Sequence, residues 1–442
     1  MEKILGIRLE DKNKWEARVP LIPEHVAQLI AHGYRVIVEP NPIRCIHDSE
    51  YARVGAELCD DLSHCDVIFC VKEVPRDKII PNTVYVYFSH VIKGQEHNMP
   101  MLRRLLETNC TLLDYERITN EQGQRLVFFG RFAGLAGMVD GLWALGQRLA
   151  HDGIENHFIP IRTPIEYFEL DKAKNALRML GDRYKKNFVS PEIAPLIIGI
   201  TGYGNVSKGA QEMLDCLPIT EITPAEVPEI ATRGGDGTIY KVVFAEEHMF
   251  ERIDGSPFDL QHYYQHPEKY RSKFEQYLPH LTMLVNCIYW DSRYPRLVTK
   301  KFLHELYADV NPRLRVIADI SCDIEGAVEA TLEATTPEDP VYIYDVDSDR
   351  AIYGHGRGPT IMAIDNLPCE FPVDSSRFFS ETLLPFVPEI ADADYTDGME
   401  SLKLSYPLKK ALIALHGELT PDYEYINRFL HDEKIKNTNS TL

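Results

Sequence analysis

The stretch from Leu196 to Gln211, LIIGITGYGNVSKGAQ, constrains the fold more than any other part of the chain. Leu196-Ile197-Ile198-Gly199-Ile200 is short, apolar and rich in β-branched residues, as a buried strand is. It breaks at Thr201 into Gly202-x-Gly204 and runs through Asn205 and Val206 to Gly209-Ala210 in a segment that suits a helix. Strand, tight glycine turn and helix in that order aim backbone N–H groups and the positive end of a helix dipole at a ligand, usually a phosphate. The pattern predicts a dinucleotide site, with Gly202, Gly204, Asn205 and Val206 against the cofactor. The third glycine falls at Gly209, seven after Gly202, where the commonest fingerprint puts it five after. The reading therefore leans on the strand before the turn and on Gly209-Ala210, small enough for close helix–strand packing. A plain strand-to-helix turn in an α/β core is the alternative. A P-loop is excluded, because Ala210-Gln211 stand where Lys and Ser/Thr are required.

The 442 residues are enough for two or three domains with proper cores. The net charge of −20 argues against nucleic acid or anionic membranes as partners. It also repels anionic substrates, so an enzyme for such a substrate must concentrate cations in its cleft. No run of about 18 apolar residues offers a membrane-spanning helix, and the N-terminus becomes charged too soon for a signal peptide. The nine cysteines are scattered without a CxxC pair and read as free thiols in a reducing, cytoplasmic compartment. Oligomeric state is left open.

Strands alternate with helices along the first part of the chain. Residues 3–8, 34–39, 66–71, 83–89 and 111–115 read as strands, and 23–32 and 101–107 as helices, Pro23 starting the first and Gly33 ending it. This alternation implies a parallel sheet covered on both faces. Around 132–148 a helical stretch rich in small residues suits close packing against another backbone and an inter-domain connection. Later strands are expected at 282–289, 315–320, 341–346 and 360–364, then a mostly helical tail to Asp432 and a frayed polar end. The expected architecture is α/β, two Rossmann-like doubly wound domains with a cleft between them. Residues 1–140 with 366–442 would form the substrate domain and 141–365 the dinucleotide domain.

Ligands of such folds sit at the carboxyl ends of strands. Reactive side chains there are Lys72 and Glu73, Ser89 and His90 with Lys93 beyond, Tyr115-Glu116, and Asp319; Arg18 follows the first strand and Arg125 precedes a further apolar run. Singly, each has a bland reading as a surface cation, a packing histidine or half of an ion pair. Ser89-His90 is not a nucleophile–base pair, because adjacent strand residues face opposite ways. Together, Arg18, Lys72, Lys93 and Arg125 place four cations near one cleft of an acidic protein, which suits a dicarboxylate. His90, and Lys72 if burial or a cation lowers its pKa, can exchange protons near neutral pH. His262 and His266 have HxxxH spacing, but no Glu follows His262 as in a zincin, so no metal site is expected.

GYGNVSKGAQ, FSHVIKGQEHNM, FGRFAGLAGMVDGL, VNCIYW, IADISCDIEGAVE and IDNLPCEFPVDSS together resemble the lysine–2-oxoglutarate reductase domain of aminoadipic semialdehyde synthase. Fungal saccharopine dehydrogenase and alanine dehydrogenase are wider relatives, and Lys72-Glu73 is closer to the fungal enzyme. The resemblance runs from Ala17 to Ile426. It implies Arg18 and Arg125 as carboxylate binders and Lys72 and His90 as the acid–base pair. Glu73 and Glu116 would tune their pKa values, Lys93 would assist anion binding, and Asp319 would lie beside the nicotinamide. The implied substrates are lysine and 2-oxoglutarate, with NADPH rather than NADH as cofactor. The chain ends about where that domain ends, so a separate saccharopine-oxidising enzyme is the expected partner. A dehydrogenase for another amine, or a non-catalytic nucleotide-binding regulator, are the competing readings. An NAD site would show an acid about 20 positions beyond the glycines; Glu221 and Glu226 are available, and Arg233 is the first arginine there.

Overall fold

The computed structural model describes residues 2–184, 189–233, 237–309, 311–396, 398–399 and 401–430. The polar end expected to fray lies outside the described residues. In chain order the strands are β1 (Ile4–Ile7), β2 (Arg35–Val38), β3 (Glu57–Leu58), β4 (Val67–Phe69), β5 (Val84–Tyr87), β6 (Thr111–Asp114), β7 (Leu196–Thr201), β8 (Ile219–Ile222) and β9 (Ile239–Phe244). They continue as β10 (Phe250–Arg252), β11 (Tyr270–Ser272), β12 (Met283–Asn286), β13 (Val316–Asp319), β14 (Val341–Asp345), β15 (Arg350–Ile352), β16 (Thr360–Met362), β17 (Leu412–Leu415) and β18 (Glu418–Leu419).

The chain divides into two units, residues 1–129 with 372–442, and 130–371. A cut at residue 140 would fall inside the helix Gly130–His151, so the boundary sits at that helix's start.

In the first unit the sheet runs β18-β17-β6-β5-β4-β1-β2-β3. β1 to β6 are parallel. The short apolar runs VIF, VYVY and TLLD are buried at every position, as strands covered on both faces must be. The chain winds outward from β1 through β2 and β3, then returns to β1's other side for β4, β5 and β6. The reversal lies between β1 and β4, where a doubly wound sheet opens a crevice at its carboxyl edge. The tail is less helical than expected. β17 and β18 form a hairpin, with β17 antiparallel to β6. LIAL is a four-residue apolar run, too short for its period to separate strand from helix.

The second unit's sheet runs β15-β14-β16-β13-β12-β7-β9-β8. β7, β8, β9, β12, β13 and β16 are parallel, and β14 and β15 close one edge antiparallel. All six residues of β7 are buried. The reversal falls between β7 and β12, so the glycine turn after β7 sits at the switch point. β8 follows β7 in sequence yet lies at the outer edge, and β9 takes the place beside β7. Among the described residues no helix is long and apolar enough to cross a membrane.

Candidate active site

The first unit gathers its reactive side chains at the β1/β4 reversal. Beyond β4, the Val71 and Lys72 N–H groups donate to the Glu10 carboxylate at 2.6 and 3.0 Å, tying the strand end to the loop after β1. Glu10 is fully enclosed; burial and the neighbouring Glu16 charge push its pKa up to about 7 despite those two N–H bonds. Glu73, next along, accepts from Lys12 Nζ at 2.9 Å on Oε2 and bonds His90 Nδ1 at 2.6 Å on Oε1. Burial opposes ionisation of Glu73, but the His90 bond and the Lys12 and Lys72 charges hold it well below the usual carboxylate range. Asn98 Nδ2 donates to the His90 carbonyl at 3.3 Å, and His90 itself takes φ +49°. A left-handed histidine is uncommon and here turns the ring toward Glu73, away from the strand direction. Ser89 instead bonds Asp114.

Lys72 is partly buried. Burial, then the Arg18 and Lys12 charges, lower its pKa against the pull of Glu16 and Glu73. A lysine in that setting gives up its proton more readily than a surface one. Arg18 is itself buried, 2% exposed, and not the surface cation that its loop position suggests. Its Nε and Nη2 donate to Glu16 at 2.7 and 2.5 Å, and its guanidinium lies 4.3 Å from the Phe129 ring centre. Two of the donors expected to grip a substrate carboxylate are therefore held by Glu16. Arg125, half exposed, pairs with Glu116. A nearly buried carboxylate needs a cation, and Glu116 finds Arg125; of the two acids it is Glu73 that bonds the His90 ring. Lys93 stands exposed on the loop beyond.

Lys12, Glu16, Glu10 and Asn98 were missed by the sequence reading. The first three share the loop after β1 with Arg18, and inspecting that whole loop as one strand end would have included them. Asn98 becomes visible only when the chain folds back from the turn after His90.

In the second unit, Gly202 sits at φ +80°, which a side chain would strain. Its N–H donates to the Phe244 carbonyl at 2.8 Å, so the turn abuts the end of β9. At Gly204 a Cβ would meet nothing within 4 Å. The space ahead of the first N–H groups of the helix Asn205–Leu214 is thus clear, and the turn fits a pyrophosphate. Gly209 works differently from the expected helix–strand contact. A Cβ there would lie 2.1 Å from the Arg131 carbonyl, and one at Gly134 1.8 Å from the Val206 carbonyl. The two glycines let the helices Gly130–His151 and Asn205–Leu214 touch backbone to backbone, and Arg131 bonds Glu212 alongside at 2.6 and 2.9 Å.

Thr201, Asn286 and Asp319 end β7, β12 and β13 in one cross-strand row. Thr201 Oγ1 donates to Asn286 Oδ1 at 2.9 Å, and Asn286 Nδ2 to Asp319 Oδ1 at 2.8 Å; Thr331 Oγ1 donates to Asp319 Oδ2 at 2.6 Å. Burial raises the Asp319 pKa to about 6, although these donors favour its anion. Asp319 is thus a buried link in a polar row rather than an isolated strand-end acid. Thr201 and Asn286 were invisible without the strand register.

A cavity of about 240 Å³ lies at this carboxyl edge, lined among others by Gly202, Tyr203, Gly204, Glu246, Tyr264 and Ile288. A cleft of about 750 Å³ lies at the opposite edge, by residues that precede β13 and β16. Its Arg148 and Arg315 converge on Asp152 at 3.0 and 3.4 Å. Its size does not make it the nucleotide site, because the parallel strands β13 and β16 begin there rather than end. Among the described residues no group of three or more His, Cys, Asp or Glu could hold a metal ion.

The chain is similar to alpha-aminoadipic semialdehyde synthase of Bos taurus, 36% identical over 96% of this chain and 48% of the relative. The Arabidopsis thaliana synthase is 38% identical over 96% of this chain and 41% of its own length. The chain thus spans about half the length of these curated relatives. Saccharopine dehydrogenase [NAD(+), L-lysine-forming] of Emericella nidulans is 27% identical over 88% of this chain and 92% of its own. Among solved structures, an L-alanine dehydrogenase matches in fold with a TM-score of 0.62 at 18% identity, over 97% of this chain and 99% of that one. The family model for the alanine dehydrogenase/PNT N-terminal domain matches residues 6–136, and that for the C-terminal domain matches residues 170–422. With both domain models matched in order on two doubly wound units, the chain belongs to the alanine dehydrogenase/PNT family.

Proposed function

We propose that this chain is a saccharopine-forming reductase that condenses the ε-amine of lysine with the keto group of 2-oxoglutarate and reduces the resulting imine with NAD(P)H. The observation that carries the reading is the Lys72–Glu73–His90 group at the switch point of the first sheet. The likeness to aminoadipic semialdehyde synthases and to lysine-forming saccharopine dehydrogenases supports the same pair of substrates. The resemblance implies NADPH, whereas the fungal relatives carry NAD(+) in their name.

The residues fit the steps. Lysine's ε-ammonium must lose a proton before it attacks, and Lys72, its own pKa lowered by burial and Arg18, accepts it. The carbinolamine needs an acid to expel water, and His90 supplies it while Glu73 orients the ring through Nδ1. The imine then gains a hydride, which NAD(P)H supplies when bound, and a proton, giving a secondary amine. Arg18 and Arg125, with Lys93, attract the substrate carboxylates, and Glu16 fixes the Arg18 fork. Asp319, through Asn286 and Thr201, fixes the strand ends that would hold the nicotinamide.

The test is oxidation of reduced nicotinamide by the purified chain with 2-oxoglutarate and lysine, beside ammonia in place of lysine. Lysine-dependent oxidation supports the reading. Oxidation with ammonia and none with lysine would assign a different amine to the same site.

A further inference from the structure

The rule that places a ribose-binding acid about 20 residues beyond the glycines assumes that the second strand in sequence lies beside the first. In this chain it does not. β8 is the outer strand and β9 stands beside β7. Glu221 on β8 is spent on Lys241 at 3.0 Å, and Glu226 closes its own turn on the Thr223 N–H at 2.8 Å. The Gly202-to-Phe244 bond holds the end of β9 against the glycine turn, so a ribose bound beyond that turn would pass over it. Two residues beyond Phe244 is Glu246. It lines the same cavity as Gly202, Tyr203 and Gly204, and Tyr264 Oη donates to its Oε1 at 3.0 Å.

We propose that Glu246 reads the 2′-hydroxyl of the adenosine ribose and makes this chain prefer NADH to NADPH. The inference rests on the reductase reading only for the presence of a dinucleotide. A carboxylate accepts hydrogen bonds from ribose hydroxyls. A 2′-phosphate at the same place meets a like charge, and among the described residues no Lys, Arg or His lines the cavity to offset it. Tyr264 holds the carboxylate in position, and Tyr203, between the two glycines, flanks it: burial and then the Glu246 charge raise the Tyr203 hydroxyl's pKa. The insertion of β8 outside β9 thus moves the specificity residue some two dozen positions along the sequence, past both acids that the spacing rule selects.

The experiment titrates the full chain with NADH and with NADPH, without other substrates, following nicotinamide fluorescence. NADH is expected to bind at least about tenfold more tightly, the effect of one like-charge contact. Glu246→Gln is expected to narrow the gap from both sides, and Glu246→Asp to keep its direction. Equal affinities, tighter NADPH binding, or an unchanged ratio in Glu246→Gln would overturn the inference and leave the reductase reading standing. Binding of neither nucleotide would overturn both. The wild-type ratio decides the preference even if a variant fails to fold.

Discussion

At the scale of single residues, the site is a set of buried and paired charges that shift one another's pKa values. Lys72 stands partly buried beside the charges of Arg18, Glu16, Lys12 and Glu73, and burial, then the Arg18 charge, lower its pKa. Lys72→Met removes the proposed proton acceptor while leaving the second unit's glycine turn intact. The expected outcome is a kcat lower by about 10²-fold or more, with unchanged nucleotide affinity; equal turnover would remove Lys72 from the chemistry. Arg18 shows where sequence reasoning placed a residue without its surroundings. Its place after the first strand was legible, but its burial against Glu16 and Phe129 was not, because those contacts depend on how the loop closes. Arg18→Ala would leave the fully buried Glu16 carboxylate without its bidentate partner. Denaturant unfolding is expected to show a loss of about 3–5 kcal/mol, with weaker 2-oxoglutarate binding on top of it. A variant as stable as wild type would contradict the buried pair.

At the scale of elements, most strands of the two sheets were legible as short apolar runs, and the residues at their carboxyl ends followed directly; β3, β8, β9, β15, β17 and β18 were not. The order of β8 and β9 was not legible, because both are short segments between helices and nothing local says which pairs with β7. That swap sent the search for an acid to Glu221 and Glu226. The glycine turn was legible as a strand-to-helix turn, but its third glycine serves a helix–helix contact, since the small residues of 130–151 meet it backbone to backbone. The two roles separate experimentally. Gly209→Ala drives a methyl into the Arg131 carbonyl and is expected to cost about 1–3 kcal/mol or more. Gly204→Ala meets no protein atom, so stability should hold while the added methyl weakens nucleotide binding. Thermal melts and nucleotide titration of the two variants check this, and a reversed pattern would contradict the assignment of the two glycines.

At the scale of the whole molecule, the acidic composition was legible, and the cost of burying acids within it was not. Glu10 lies enclosed with its pKa raised to about 7, and burial also raises Asp114 and Asp319 to about 6. A carboxyl with a folded pKa above its unfolded value binds its proton more tightly when folded. Its contribution is present in full below the unfolded pKa and is lost as pH rises through the folded one. Stability is therefore expected to fall from about pH 4.5 to about pH 7 through these groups. Glu10→Gln should flatten that part of the melting-temperature profile, and an unchanged slope would show that Glu10 does not titrate there. The account's central claim, that this fold joins two amino-acid skeletons rather than aminating one, is tested most directly by the mass of the product formed from lysine, 2-oxoglutarate and reduced nicotinamide. The account predicts the mass of lysine plus 2-oxoglutarate, less one water and plus two hydrogens. Glutamate formed from 2-oxoglutarate and ammonia, with lysine untouched, would contradict it.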